Sequence, residues 1–89
     1  MSPTILRSGP YRLFFFSSDR SEPPHVHVSR ERKVAKFWLS PVRPAFNYGY
    51  GSNELRRIEA IVRRHRDELI EAWDDYFHAG NAGTGGQES

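Results

Sequence analysis

The sequence predicts an α+β domain: a four-stranded, mostly antiparallel meander covered on one face by one long C-terminal helix. Two observations carry that prediction. Up to Leu39, short apolar runs alternate with polar residues and are separated by Gly, Pro and Ser, the pattern of half-buried strands. From Ser52 onward the apolar residues recur at steps of three and four, the period of an amphipathic helix. No helical stretch lies between the strands, so neighbours connect by short turns and pair antiparallel.

Each element follows from local chemistry. Thr4 to Ser8 is a short strand ended by the turn signal Gly9-Pro10. Tyr11 to Ser17 is rich in aromatics and makes a hairpin with it. The polar run from Ser17 to Glu22, closed by Pro23-Pro24, holds the chain extended where it meets the next strand. His25 to Ser29 alternates polar residues with Val, and Val34 to Leu39 is a fourth strand stopped by Ser40-Pro41. The stretch from Pro41 to Gly51, with prolines at 41 and 44 and glycines at 49 and 51, is expected to be a structured loop. The helix is expected over about residues 53–78, with Ser52 as N-cap, a break near His65–Asp67 allowed, and Gly80 as its stop. Its stripe is Leu55, Ile58, Val62, His65, Leu69, Ala72 and Tyr76, widened by Ile61, Trp73 and Phe77.

Composition narrows the class. Eighty-nine residues allow one domain, expected over residues 1–79, with the apolar-poor segment 80–89 as a flexible tail. There is no cysteine, which excludes disulfides, thiolate nucleophiles and cysteine metal knuckles. Neither a signal peptide nor an apolar run long enough for a bilayer is visible, so a cytoplasmic protein with no membrane contact is expected. The formal net charge of +2 is too small to argue for nucleic acid alone. Its distribution says more: most basic residues lie between Arg12 and Arg64, and Asp67, Glu68, Glu71, Asp74 and Asp75 follow.

Alternation places Tyr11, Leu13 and Phe15 on one side of the second strand and Arg12, Phe14 and Phe16 on the other. On the fourth strand, Ala35, Phe37 and Leu39 oppose Lys36 and Trp38. One helix covers one face, so Phe14, Phe16 and Trp38 are expected on the second, among Arg12 and Lys36. Such a patch marks an interaction site. With Arg56, Arg57 and Arg63 of the helix, these residues are the candidate contacts to a partner or to nucleic acid. Stacking aromatics beside cations is how open sheets hold single strands. The basic-then-acidic order along the helix also suits an antiparallel homodimer.

His25 and His27, two apart on a strand, leave the same face roughly 7 Å apart at Cα. That spacing suits two imidazoles on one divalent transition metal such as Zn, or on one phosphate, and makes both the candidate catalytic residues. A third ligand is less evident: Glu22 completes the candidate metal set, with Asp19 and His65 further off in sequence. The alternative is an amphipathic strand, Val26 and Val28 inward and the histidines on the wet face. His65 falls on the helical stripe, where a hydrogen-bonded core histidine is the default, and His78 complements the helix dipole. Familiar enzyme signatures, such as Gly-rich phosphate loops and H-E-x-x-H, are absent from the sequence.

The runs PTI, YRLFFFSSD, EPPHVHV, AKFWL, ELRRIEAIV and DELIEAWDDYF resemble the small prokaryotic proteins of domain-of-unknown-function family 4160, over about residues 2–78. The resemblance implies a small cytoplasmic protein of no settled activity, suspected of belonging to toxin–antitoxin-like gene pairs. It marks Glu22 to His27 as a signature. The leading expectation is an interaction module, one partner of such a two-protein or regulatory pair and a homodimer. The alternative is a metal-dependent hydrolase or nuclease centred on His25 and His27, with Glu22 or Asp19 as third ligand or base.

Overall fold

The computed structural model describes residues 4–79, with side chains through Phe77. The expected tail at 80–89, the stop at Gly80 and the His78 side chain lie outside the described residues. Five strands form one antiparallel sheet in chain order: β1 (Thr4–Ser8), β2 (Tyr11–Phe14), β3 (His25–Arg30), β4 (Lys33–Leu39) and β5 (Val42–Tyr48). Two helices follow, α1 (Ser52–Arg64) and α2 (Arg66–Asp74), and a π-helical turn covers Asp75–Ala79. The class is α+β with an antiparallel meander, but there are five strands where four were expected and two helices in place of one.

The fifth strand occupies the expected loop. After a turn at Ser40–Pro41, whose peptide bond is cis, β5 pairs with β4 from Leu39↔Val42 to Val34↔Tyr48. Pro44 is tolerated because β5 is an edge strand, so a missing N–H breaks no inner ladder. The register shifts between Lys36 and Phe37, which leaves Ala45 out of the pairing next to Pro44. Gly49 ends the strand at φ 104°, with Lys33 so close that a Cβ would lie 2.9 Å from its Cγ. No side chain but that of glycine suits both conditions.

The helical period is interrupted at His65, where φ −102° and ψ 13° leave the helical region, and its N–H still reaches the Ile61 carbonyl. Beyond the break, α2 buries Leu69 and Trp73 in the core. Gly51, not Ser52, is the N-cap, and no side chain caps the helix. The His65 ring is half-buried against Glu68 (3.1 Å), not sealed in the core.

The core lies between the sheet and the helices. Tyr11, Leu13, Val26, Val28, Ala35, Phe37 and Leu39 face Ile58, Val62, Leu69, Trp73 and Phe77, and all are buried. Phe15, just past β2, joins them against Trp73 at 5.2 Å between ring centroids. Among the described residues, no helix is long and apolar enough to cross a membrane.

Candidate functional site

The loop between β2 and β3 and the first residues of β3 build one polar centre. A 3-10 turn, Ser17–Ser21, closes on itself: the Asp19 N–H donates to the Phe16 carbonyl (3.0 Å), and the Asp19 Oδ2 accepts the Phe16 N–H (2.8 Å). Those two bonds aim the Asp19 carboxylate inward at β3. There Oδ2 lies 3.1 Å from His25 Nε2 and 3.1 Å from His27 Nε2. Ligand atoms of the three residues all fall within 4.8 Å of one another. Seven residues lie between Asp19 and His27, so only the loop's path makes them neighbours.

The protonation pattern is legible from the partners. His25 Nδ1 lies 2.9 Å from the Pro23 carbonyl, which can only accept, so Nδ1 carries the proton. In the neutral ring Nε2 is then a bare lone pair. It faces a carboxylate oxygen yet makes no hydrogen bond among the described residues, although the side chain is wholly buried. His27 Nε2 is within bonding distance of the same Asp19 Oδ2 and donates to it. Burial holds the His27 pKa below its ordinary value, and the Lys36 ammonium adds to that, while Asp19 works the other way.

Aromatic rings wall the centre. His27 stacks on Phe14 (5.4 Å) and meets Phe16 edge-on (4.6 Å), and His25 sits between Trp38 (5.5 Å) and Trp73 (5.0 Å). Low polarity around a lone pair raises the cost of leaving it unpaired. The side chains of Asp19 and His27 remain 11% and 13% exposed, whereas that of His25 is wholly buried.

Cross-strand pairing, in which partners share a face, places the other candidates. Phe14, His27, Lys36 and Phe46 form one row across β2 to β5 on the face away from the helices. Arg7, Arg12, Ser29, Val34 and Tyr48 form a second, and His25, Trp38 and Arg43 a third. Arg12 lies over Phe14 at 4.3 Å, and Lys36 over Trp38 at 4.6 Å. The predicted cluster Arg12, Phe14, Phe16, Lys36 and Trp38 is thus assembled, although Phe14 itself is buried. Arg56, Arg57 and Arg63 are not part of it: they stand on α1, in the opposite layer, where Arg63 bonds Glu59 and the Val42 carbonyl.

Glu22 is placed apart from the centre. Its carboxylate takes the Lys36 ammonium at 2.6 Å, which holds its pKa below the usual carboxylate range, and lies 3.6 Å from His25 Nδ1, the nitrogen already donating to Pro23. The carboxylate beside both Nε2 atoms belongs to Asp19. Sequence reasoning missed Arg7, Arg43, Phe46 and Tyr48 on the open face. The signal for the last two was present as aromatics at i and i+2, a strand pattern obscured by the flanking prolines and glycines.

The chain belongs to the family described as Domain of unknown function (DUF4160), whose model matches residues 11–74. That span runs from the first residue of β2 to the last of α2 and contains the whole polar centre. No curated protein and no solved structure matches the chain.

Proposed function

We propose that this domain binds one divalent transition metal at Asp19, His25 and His27 and uses it in hydrolytic chemistry. One observation carries the reading: a buried imidazole nitrogen with no hydrogen bond, His25 Nε2, aimed at a second imidazole and a carboxylate. Leaving such an acceptor unsatisfied costs about 1–3 kcal/mol, and a metal ion satisfies it. The donor set of two imidazoles and one carboxylate suits Zn and its first-row neighbours. Three protein ligands are also what hydrolytic zinc sites use, with a remaining position for water, whose pKa the ion lowers toward neutrality. The Pro23 carbonyl fixes the His25 tautomer in the form that presents Nε2. Asp19 and His27 are the two members of the set with exposed surface, so a water or substrate oxygen would approach from their side.

Metal analysis of untagged protein, after exposure to Zn, Ni or Mn and removal of excess, tests this. Stoichiometric metal is expected, and it should disappear in His25→Ala and in Asp19→Asn. A wild-type protein that retains no metal sinks the reading.

A second reading rests on a different surface. Arg56, Arg57, Arg63 and Arg64 on α1, and Asp67, Glu68, Glu71 and Asp74 on α2, are exposed on the helical layer. That separation suits an interaction module, pairing with a second copy or with the other protein of a regulatory or toxin–antitoxin-like pair. A monomeric mass by light scattering at micromolar concentration and low salt removes the homodimer.

A further inference from the structure

We infer that the open sheet face binds single-stranded nucleic acid, with the strand held by the exposed Phe46 and Tyr48 rings beside the His27–Lys36 row. This names the substrate class of the proposed centre and rests on that reading only for the chemistry that follows binding. Three features point to this ligand.

The first is charge. The pairing rows place Arg7, Arg12, Lys36 and Arg43 on this face, and the strand residues of those rows include no carboxylate; Asp19, bonded to His27, comes from the loop. Glu22 reaches in from the preceding loop and offsets one of them through Lys36. The surplus selects an anionic ligand, and it opposes face-to-face pairing with a second copy, which would set cations against cations.

The second is the aromatic content. Phe16, Phe46 and Tyr48 are 41%, 52% and 64% exposed, although large apolar rings gain from burial. Phe46 and Tyr48 alternate on β5, so their rings leave the same face roughly 7 Å apart. Flat exposed rings interleaved with cations match the needs of unstacked bases and their phosphates. An acidic peptide would use the cations but would have no planar groups for the rings. A duplex hides its bases' faces and would leave the rings unused.

The third is position. The row that contains His27 ends at Phe46, three strand spacings of about 4.8 Å each from Phe14. A strand held on Phe46 and Tyr48 with its phosphates on Lys36 and Arg43 therefore passes close to His27 and its partner Asp19.

Fluorescence anisotropy with a labelled oligouridylate, performed in chelator, tests binding without the metal. Binding to the single strand should exceed binding to a duplex of equal length. Its logarithm should fall with the logarithm of salt concentration, with a slope of about −0.7 for each phosphate neutralised. Phe46→Ser and Tyr48→Ser should each weaken binding by about tenfold, the loss of one stacked base. Arg43→Glu should weaken it and flatten the salt slope. Equal affinity for the duplex, no effect of the two aromatic substitutions, or no binding at low salt overturns the inference. So does polyglutamate binding as tightly as the oligonucleotide, which assigns the face to an acidic protein. Metal stoichiometry measured on the same variants separates the two proposals. Oligonucleotide binding without metal uptake defeats the centre alone; metal uptake without oligonucleotide binding defeats the face alone.

Discussion

Two polar clusters flank β3, one at each end, and they are built to different rules. At the Arg30 end, Glu54 of α1 accepts from the Tyr11 hydroxyl (2.7 Å) and from Arg30 (2.7 Å), with Lys33 at 3.6 Å. Beside it the Tyr50 hydroxyl donates toward the Val28 and Lys33 carbonyls at 3.1 and 3.4 Å. Burial pushes the Tyr50 pKa up to about 12, so its proton stays in place. Acceptors there have their donors, and the cluster ties α1 to the sheet. At the His25 end, one Asp19 carboxylate oxygen accepts from the Phe16 N–H and from His27, while the buried His25 Nε2, 3.1 Å from the same oxygen, has no hydrogen bond among the described residues. Few buried polar atoms in folded proteins go unsatisfied, and each that does calls for an explanation. The first cluster is explained by the fold; the second is what the proposed metal ion would explain.

The largest difference between the two ends should come from metal. With free metal a thousandfold above its Kd, the wild-type domain should gain about 4 kcal/mol over the chelated protein, read as a shift in the urea midpoint. His25→Ala should show no such gain, and an equal gain in the variant would break the distinction. Next comes the satisfied end. Tyr11→Phe removes a hydrogen bond to a charged acceptor and should cost about 1.5–3 kcal/mol, measured by urea unfolding without metal.

His25→Phe in the same metal-free assay should cost less than about 1 kcal/mol, because the lost bond to Pro23 is offset by removal of the unsatisfied nitrogen. A cost as large as that of Tyr11→Phe would mean that His25 is a structural residue like its counterparts. The Glu54 cluster also predicts a pH response. The Tyr11 hydroxyl and Arg30 hold the Glu54 pKa below 4.5, so its contribution is present above that value and is lost as pH falls through the folded pKa. Melting temperature should therefore drop in that acid window, and Glu54→Gln should blunt the drop. The smallest effect is expected at the open face: Phe46→Ser should change stability by less than about 0.5 kcal/mol, which would separate its role in binding from any role in folding.

Some of this was open to a reader of the chain. The alternation in β2 to β4 and the three–four spacing after Ser52 fixed the class and the inward residues, because period alone decides which side chains share a face. It also placed His25 and His27 together. The fifth strand was hidden because Pro41, Pro44, Gly49 and Gly51 carry loop chemistry, and only the edge position makes prolines acceptable there. Arg56, Arg57 and Arg63 were grouped with the sheet cations because sequence does not say which layer a helix's outer side faces.

What the sequence by itself determined was the α+β class, the meander, and a pair of imidazoles on one strand, all consequences of short-range periodicity. Tertiary structure decided the third member. Asp19 and Glu22 stand three residues apart in one polar loop, and no local rule prefers either. The 3-10 turn, the Phe16 backbone and the Lys36 ammonium settle it, turning Asp19 inward to both histidines and drawing Glu22 out to the open face. Convergence of that kind depends on where a loop returns in space, and that is set by the packed sheet against which it closes.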